Sequence, residues 1–391
     1  MPVLLLAVAG GLVVANLYYN QPLLASMAHE FGVSETAIAP VATLTQVGYA
    51  LGLFAVVPLA DIAERRRLLV VLVLGAAVAL VGAALAPGAA VLAAASLAIG
   101  ILSVAPQVIM PIAADLAPPD ERGRVVGTVL SGLLIGILMG RVVSGAAGER
   151  FGWRPVFWAA AAVMVVLAGV LRVRLPESRA ASALSYRALL ASLPAVAREW
   201  SALRESALFG ALAFASFSVF WTTLPFHLAA LPGHFGSGAA GAFGLVGVVG
   251  ALAASLVGRR NDRGDPRQSI GIGLAATVAA WIALGLLGGS LVGIAVGVIF
   301  LDLGVQAAHV SNQARIFALD DAARGRINAV YMVAYFIGGA LGSAVGAAAW
   351  VHGGWAGVSA AGAGFAAVAL GVWVVRRPAA LRGARAERTN A

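Results

Sequence analysis

The chain has 391 residues, 61% of them hydrophobic and only 11% charged, with a mean hydropathy of +0.94. A soluble domain needs about one quarter charged residues to cover its surface, so this composition excludes a soluble fold and leaves a polytopic membrane protein. Cysteine is absent and the five histidines are scattered, so disulfides, thiolate chemistry, a zinc site and any other cofactor are not expected.

A membrane-crossing helix takes about 20 predominantly apolar residues. Runs of that kind near 3–27, 36–60, 68–86, 89–114, 125–147 and 155–171 are spans 1 to 6. Runs near 206–230, 237–257, 268–288, 289–314, 327–350 and 355–375 are spans 7 to 12. None alternates polar and apolar residues as barrel strands do. The expected fold is an all-α polytopic membrane protein of twelve transmembrane helices in two six-helix bundles. Residues 1–175 form the first bundle, 176–205 a cytoplasmic linker, 206–378 the second bundle and 379–391 a cytoplasmic tail. Ala7-Val8-Ala9 imitates a leader cleavage site, but no basic side chain precedes the apolar run, so a retained first span is expected.

All 26 basic residues are arginine, and the net charge is +9. They form short clusters between apolar runs, the pattern of loops at one membrane face and not of a nucleic-acid surface. With the N-terminus inside, 23 of the 26 arginines fall on the cytoplasmic side, with Arg150 and Arg154 outside and Arg141 within a span. Both termini are therefore expected to be cytoplasmic in a bacterial-type inner membrane. Within the linker, residues 186–206 mix apolar and charged side chains, the composition of an interfacial helix or of a plain connection between halves.

The halves repeat. Arg122-Gly123-Arg124 recurs as Arg324-Gly325-Arg326 at an offset of 202, as do Gly136 and Gly140 (Gly338 and Gly342) and Gly152-Trp153 (Gly354-Trp355). Six spans per repeat means that the two halves run in the same direction and can rock about a shared central site. Asp61 recurs as Asp262 at an offset of 201, each beside a basic turn, Arg65-Arg66 in one and Arg263 in the other. Such an aspartate can latch neighbouring helices in one state and release them in another.

In these loops the sequence resembles the major facilitator superfamily, whose signature is Gly-x-x-x-Asp-Arg-x-Gly-Arg-Arg. The first copy keeps Asp61, Arg65 and Arg66; the second keeps Gly258, Asp262 and Arg263. Span 5 carries Gly132, Gly136 and Gly140, a stripe of glycines four apart that lets another backbone approach. Together with Gly145 and Gly148, their spacing resembles the antiporter pattern of twelve-span drug:proton efflux members, with Arg141 in place of its proline and Ser144 in place of a glycine. The resemblance implies efflux, and it implies that spans 1, 4, 7 and 10 line a cavity.

Charge inside the membrane comes down to Arg141 in span 5 and Asp302 near the middle of span 10. A charge there marks a pathway, a proton relay or an ion pair. In the superfamily fold spans 5 and 10 approach each other, so pairing is open to these two, although their depths differ by roughly 8 Å at the helical rise. Gln306, His309 and Gln313 continue from Asp302 along one helical face, where a carboxylate and an imidazole can exchange a proton. Asn16, Tyr19 and Asn20 in span 1, Gln107 in span 4, and Phe217 and Trp221 in span 7 are the expected substrate-cavity residues, polar groups among aromatics.

The expected activity is secondary active transport: proton-coupled efflux of a small organic molecule by alternating access, with Asp302, His309 and Arg141 as the coupling groups. Substrate, protons and the bilayer are its partners, and the chain works as a monomer. Two other readings use the same residues: an uptake symporter or facilitator for a metabolite, and a non-transporting membrane receptor, scaffold or enzyme. No Gly-x-x-x-x-Gly-Lys loop is present to bind a nucleotide.

Overall fold

A computed structural model describes residues 2–118, 121–177, 185–247, 257, 264–320 and 323–376. Among these residues the regular structure is entirely helical, and nine helices are long and apolar enough to cross a membrane. Two shorter apolar helices, Val3–Ala15 and Ser237–Val246, begin spans 1 and 8. Span 8 is described only over that opening stretch and at Val257.

Span 1 is not a continuous helix. Helix Pro2–Ala15 ends in a tightened turn in which the amides of Asn16, Leu17 and Tyr18 reach back three residues, and a short 3-10 segment, Gln21–Leu23, precedes helix Leu24–Phe31. Pro22 has no N–H to continue the ladder, which is why the helix gives way there. Span 5 (Arg122–Phe151) and span 6 (Trp153–Arg174) meet at Gly152, φ 82°. Spans 11 and 12 meet the same way at Gly354, φ 53°, whose non-helical backbone divides the stretch Arg324–Val375 into two helices. Only glycine adopts this backbone without strain, so two glycines 202 apart make the same tight turn in both halves.

The repeat recurs in the hydrogen bonds, at an offset of 201. Glu64 caps span 3 (Arg65–Ala84) by accepting from the Arg66 amide at 2.9 Å, and Asp265 caps span 9 (Pro266–Leu287) by accepting from the Arg267 amide at 2.8 Å. The guanidinium of Arg66 then donates to the Leu175 carbonyl at the end of span 6 (3.1 Å), and that of Arg267 to the Arg376 carbonyl at the end of span 12 (2.7 Å). Each arginine closes the C-terminus of a neighbouring helix, where unsatisfied carbonyls favour a cation.

The second half adds a charge. Glu205 accepts from Arg267 at 2.9 Å and from Arg315 at 2.6 Å, and both Glu205 and Arg267 are buried. This network explains why span 7 starts at Ser201 and not near residue 206: its polar first turn is neutralised, so it can remain helical against spans 9 and 10. Breaking a buried pair costs about 3–5 kcal/mol, whereas an exposed one is worth about 0–1 kcal/mol. Arg267→Ala is therefore expected to lower the melting temperature of the detergent-purified protein clearly more than Arg66→Ala, whose partner Glu177 is largely exposed. Equal shifts would contradict this account.

Close helix contacts are made by glycine. Gly132, Gly136 and Gly140 lie against Ala7, Gly11 and Ala15 of span 1, and Gly338 and Gly342 lie against Ala211 and Ala215 of span 7. Span 5 also crosses to the other half: a Cβ on Gly145 would sit 2.8 Å from the Gly241 Cα of span 8. Span 2 (Glu35–Asp61) packs on span 11 to complete the junction between halves. The linker forms helix Tyr186–Glu199, capped by Ser185 and burying Leu189, Leu193 and Val196. Its Tyr186 hydroxyl donates to the Ala55 carbonyl of span 2 at 2.6 Å.

Candidate functional site

Arg141 is almost completely buried, 1% exposed, on the face of span 5 turned to the other half. Its guanidinium carbon lies 4.1 Å from the Trp221 ring, 4.4 Å from the Tyr18 ring and 5.7 Å from the Phe217 ring. Its Nε donates to Gln21 Oε1 at 2.8 Å. The break in span 1 is what brings Tyr18 and Gln21 here. Desolvated cation–π contacts are worth about 2 kcal/mol or more, against a penalty of several kcal/mol for burying the charge. The aromatic cage thus takes the place of much of the missing water, yet Nη2 has no hydrogen-bond partner among the described residues.

Asp302 is 5% exposed in span 10 (Leu291–Phe317). A Cβ on Gly247 of span 8 would lie 2.6 Å from its Oδ2 and 2.9 Å from Leu138 of span 5, so the carboxylate abuts the junction of spans 5, 8 and 10. Trp221 and Tyr335 are its other neighbours, and it lies within the electrostatic reach of Arg141. Among the described residues Oδ1 makes no well-aligned hydrogen bond, and neither does the Trp221 indole N–H, although it lies beside the carboxylate. No direct ion pair joins Arg141 and Asp302 among the described residues. The pairing left open by the sequence is not made, because Tyr18 and Trp221 occupy the guanidinium faces and Gln21 holds its Nε.

The other predicted residues divide. Gln306, His309 and Gln313 are partly buried along the same face of span 10, running from Asp302 toward Arg315 at the linker end. His309 faces span 11: its Nδ1 is 3.0 Å from the Tyr331 hydroxyl, and its ring centroid is 4.6 Å from that of Tyr335. Phe217 and Trp221 join a wall of rings, with Phe214 stacked on Tyr335 at 4.1 Å and Phe217 on Phe214 at 5.7 Å. Gln107 donates to the Tyr49 hydroxyl at 3.4 Å, and the Tyr49 ring packs on Phe336 at 4.2 Å.

Three span 1 residues point elsewhere. Asn16 donates to the Met164 sulfur of span 6 at 3.4 Å, and Asn20 ties span 1 to span 2 through Thr45 at 2.8 Å. Tyr19 lines a lateral groove of about 760 Å³ between spans 1, 5 and 6, whose rim is the exposed Ile135, Val143 and Phe151. Tyr18 and Gln21, which the sequence reading passed over, occupy the place assigned to Tyr19 and Asn20. The signal was Pro22: treating span 1 as a broken helix changes the faces its residues take.

At the linker end Arg65 donates to Asp115 of span 4 at 2.7 Å and to the Ala60 carbonyl at 3.0 Å, while Asp61 is exposed beside it. Arg66 reaches Glu177 at the start of the linker at 2.6 Å, so none of these contacts crosses to the second half. Asp262 and Arg263 lie outside the described residues. At the opposite end the halves are joined: Ser237 donates to the Gly145 carbonyl at 3.0 Å, and the Gly238 amide donates to Glu149 at 2.5 Å. The halves are therefore in contact at that end, and the partly buried face of span 10 runs toward the linker end.

Comparison with known proteins places this architecture. The profile described as Major Facilitator Superfamily matches residues 6–318. The uncharacterized transporter YgaY of Escherichia coli O157:H7 is 43% identical over 371 residues, covering 95% of this chain and 94% of that one. A Streptomyces coelicolor protein named as a transporter is 34% identical over 378 residues, covering 95% and 84%. Among solved structures, a bacterial homolog of the human lysosomal transporter Spinster, in an inward-facing and occupied conformation, superimposes with a TM-score of 0.75 at 16% identity, covering 95% and 94%.

Proposed function

We propose that this chain, which belongs to the Major Facilitator Superfamily, exports a small organic molecule in exchange for protons. As a member of that family it is a membrane transporter and not an enzyme. The observation that carries the coupling is Asp302: a buried carboxylate that makes no ion pair among the described residues, set where span 10 meets span 8 and, through Leu138 and Arg141, the other half.

Rocking of one bundle against the other separates groups that belong to different halves. Arg141 and Tyr18 move with the first half, whereas Trp221, Asp302 and Tyr335 move with the second. Asp302 then loses the favourable field of Arg141, and its proton occupancy changes with the state of the carrier. The contacts of Glu149 and Gly145 with span 8 break in the same motion. His309, hydrogen-bonded to Tyr331, supplies a polar step on the way to the linker end.

Export is supported by the glycine spacing of span 5. The arginine distribution supports a cytoplasmic linker end, and the bacterial relatives support an inner membrane. Arg141 in place of the pattern's proline favours a second reading, proton-coupled uptake. Everted vesicles separate the two. During a compound panel with an imposed acidic lumen, export predicts that adding substrate makes the lumen more alkaline. Acidification would establish symport, and no saturable flux for any compound would remove transport coupled at this site.

A further inference from the structure

We infer that the substrate is a small zwitterion on an apolar body, its carboxylate on Arg141 and its ammonium on Asp302, on either side of Trp221; this rests on the transport reading above. Three buried polar atoms that make no well-aligned hydrogen bond among the described residues gather at that indole: Arg141 Nη2, Trp221 Nε1 and Asp302 Oδ1. Two are donors and one is an acceptor. Burying them unpaired is costly, and an apolar core would be at least as stable, so the arrangement points to a ligand.

The geometry fixes what each can read. Tyr18 and Trp221 cover the guanidinium faces, and Gln21 takes Nε. What remains is an in-plane edge, which matches a carboxylate oxygen. The indole N–H adds a second donor beside it. On the other side, Asp302 offers a carboxylate oxygen that makes no well-aligned hydrogen bond among the described residues, the Trp221 indole N–H being the donor set beside it.

Charge decides between ligand classes. An anion on Arg141 would set a second negative charge beside Asp302, and a cation on Asp302 would face Arg141. Juxtaposed like charges oppose binding in both cases. A molecule carrying both charges a few ångströms apart meets both groups with the correct sign. Phe217, Phe214 and Tyr335 continue the ring wall from Trp221, so the rest of the molecule meets apolar surface. The ammonium and the transported proton then compete for the same carboxylate, which makes exchange of one for the other a direct result of occupancy.

The test uses the purified full chain and two sets of probes that share an apolar body. One set is L-phenylalanine, phenethylamine and 3-phenylpropionate; the other is L-leucine, isoamylamine and 4-methylpentanoate. Binding is read by calorimetry and by tryptophan fluorescence. At least one zwitterion is expected to bind tenfold or more tighter, about 1.4 kcal/mol, than both of its single-charge analogues. Arg141→Gln should bring that zwitterion down to its amine, and Asp302→Asn down to its carboxylate. Trp221→Phe, which keeps the aromatic face and removes the donor, should weaken the zwitterion severalfold and by a larger factor than the amine. A single-charge analogue binding as well as the zwitterion overturns the inference, as does binding of none of the six probes by folded protein. Proton-linked flux of some other compound without zwitterion binding would sink this inference and leave the transport reading intact. Zwitterion binding without flux would do the reverse.

Discussion

Asp302→Asn is expected to bring pH-gradient-driven flux down to the level of protein-free vesicles, while exchange driven by a substrate gradient persists at saturating substrate with a raised KM. Asparagine has nearly the same shape but carries no titratable proton, so a carrier that couples through this carboxylate loses its driving ion and keeps its cavity. Folding should survive the change. Asp302 makes no direct ion pair with Arg141, whose cage of Tyr18, Trp221 and Gln21 does not depend on the carboxylate. A melting temperature at or above that of the parent is the accompanying result, because an incompletely satisfied buried charge has been removed. His309→Gln is the contrast. Its imidazole is bonded to Tyr331 across the span 10–11 contact, away from the Asp302 carboxylate, so coupling should be weakened but not lost. If Asp302→Asn transports normally under a proton gradient, the carboxylate is not the coupling group.

The largest structural effect is expected at Gly136. A Cβ there would lie 2.1 Å from the Gly11 carbonyl oxygen and 2.5 Å from the Gly11 Cα, and both are backbone atoms that no rotamer change can move. Overpacking costs about 1–3 kcal/mol where neighbours can yield; here the helices themselves must separate, so Gly136→Ala is expected at or above the top of that range. Gly169 in span 6 is the control, since a Cβ there meets nothing within 4 Å. Gly169→Ala gains about 1 kcal/mol of helix propensity at most and should be neutral or stabilising. The two substitutions add the same methyl group, and opposite signs in thermal stability and in monodisperse yield are the expected result. Gly342→Ala should behave like Gly136→Ala, because its Cβ would meet the Ala215 carbonyl in the equivalent contact of the second half. Tolerance at Gly136 would show that spans 1 and 5 are not held this closely.

The glycine stripe shows both what the residues reveal and where they stop. Spacing alone indicated close approach of another backbone. It did not say that Gly132, Gly136 and Gly140 serve contact within a bundle while Gly145 serves the crossing between bundles. The two faces differ by a rotation about the helix, and the partner on each side comes from a distant part of the chain. The repeat was likewise legible as an offset of 201 to 202 residues. Its structural use, an arginine closing the end of span 6 and its equivalent closing the end of span 12, depends on which helices the fold makes neighbours.

Composition and periodicity are local properties, and they sufficed for the membrane, the apolar helices, the internal repeat and the two intramembrane charges. Each follows from what a lipid environment permits a segment to be: satisfied in its own backbone, apolar outside, and charged only for a purpose. The surroundings of those charges are not local. Tyr18 and not Tyr19 lies over Arg141 because Pro22 breaks span 1, and Trp221 adjoins both Arg141 and Asp302 because spans 5, 7 and 10 converge from two halves. Which face of a helix meets which neighbour is set by packing of the whole bundle. Tertiary structure alone therefore decided that the arginine and the aspartate stand apart around one indole.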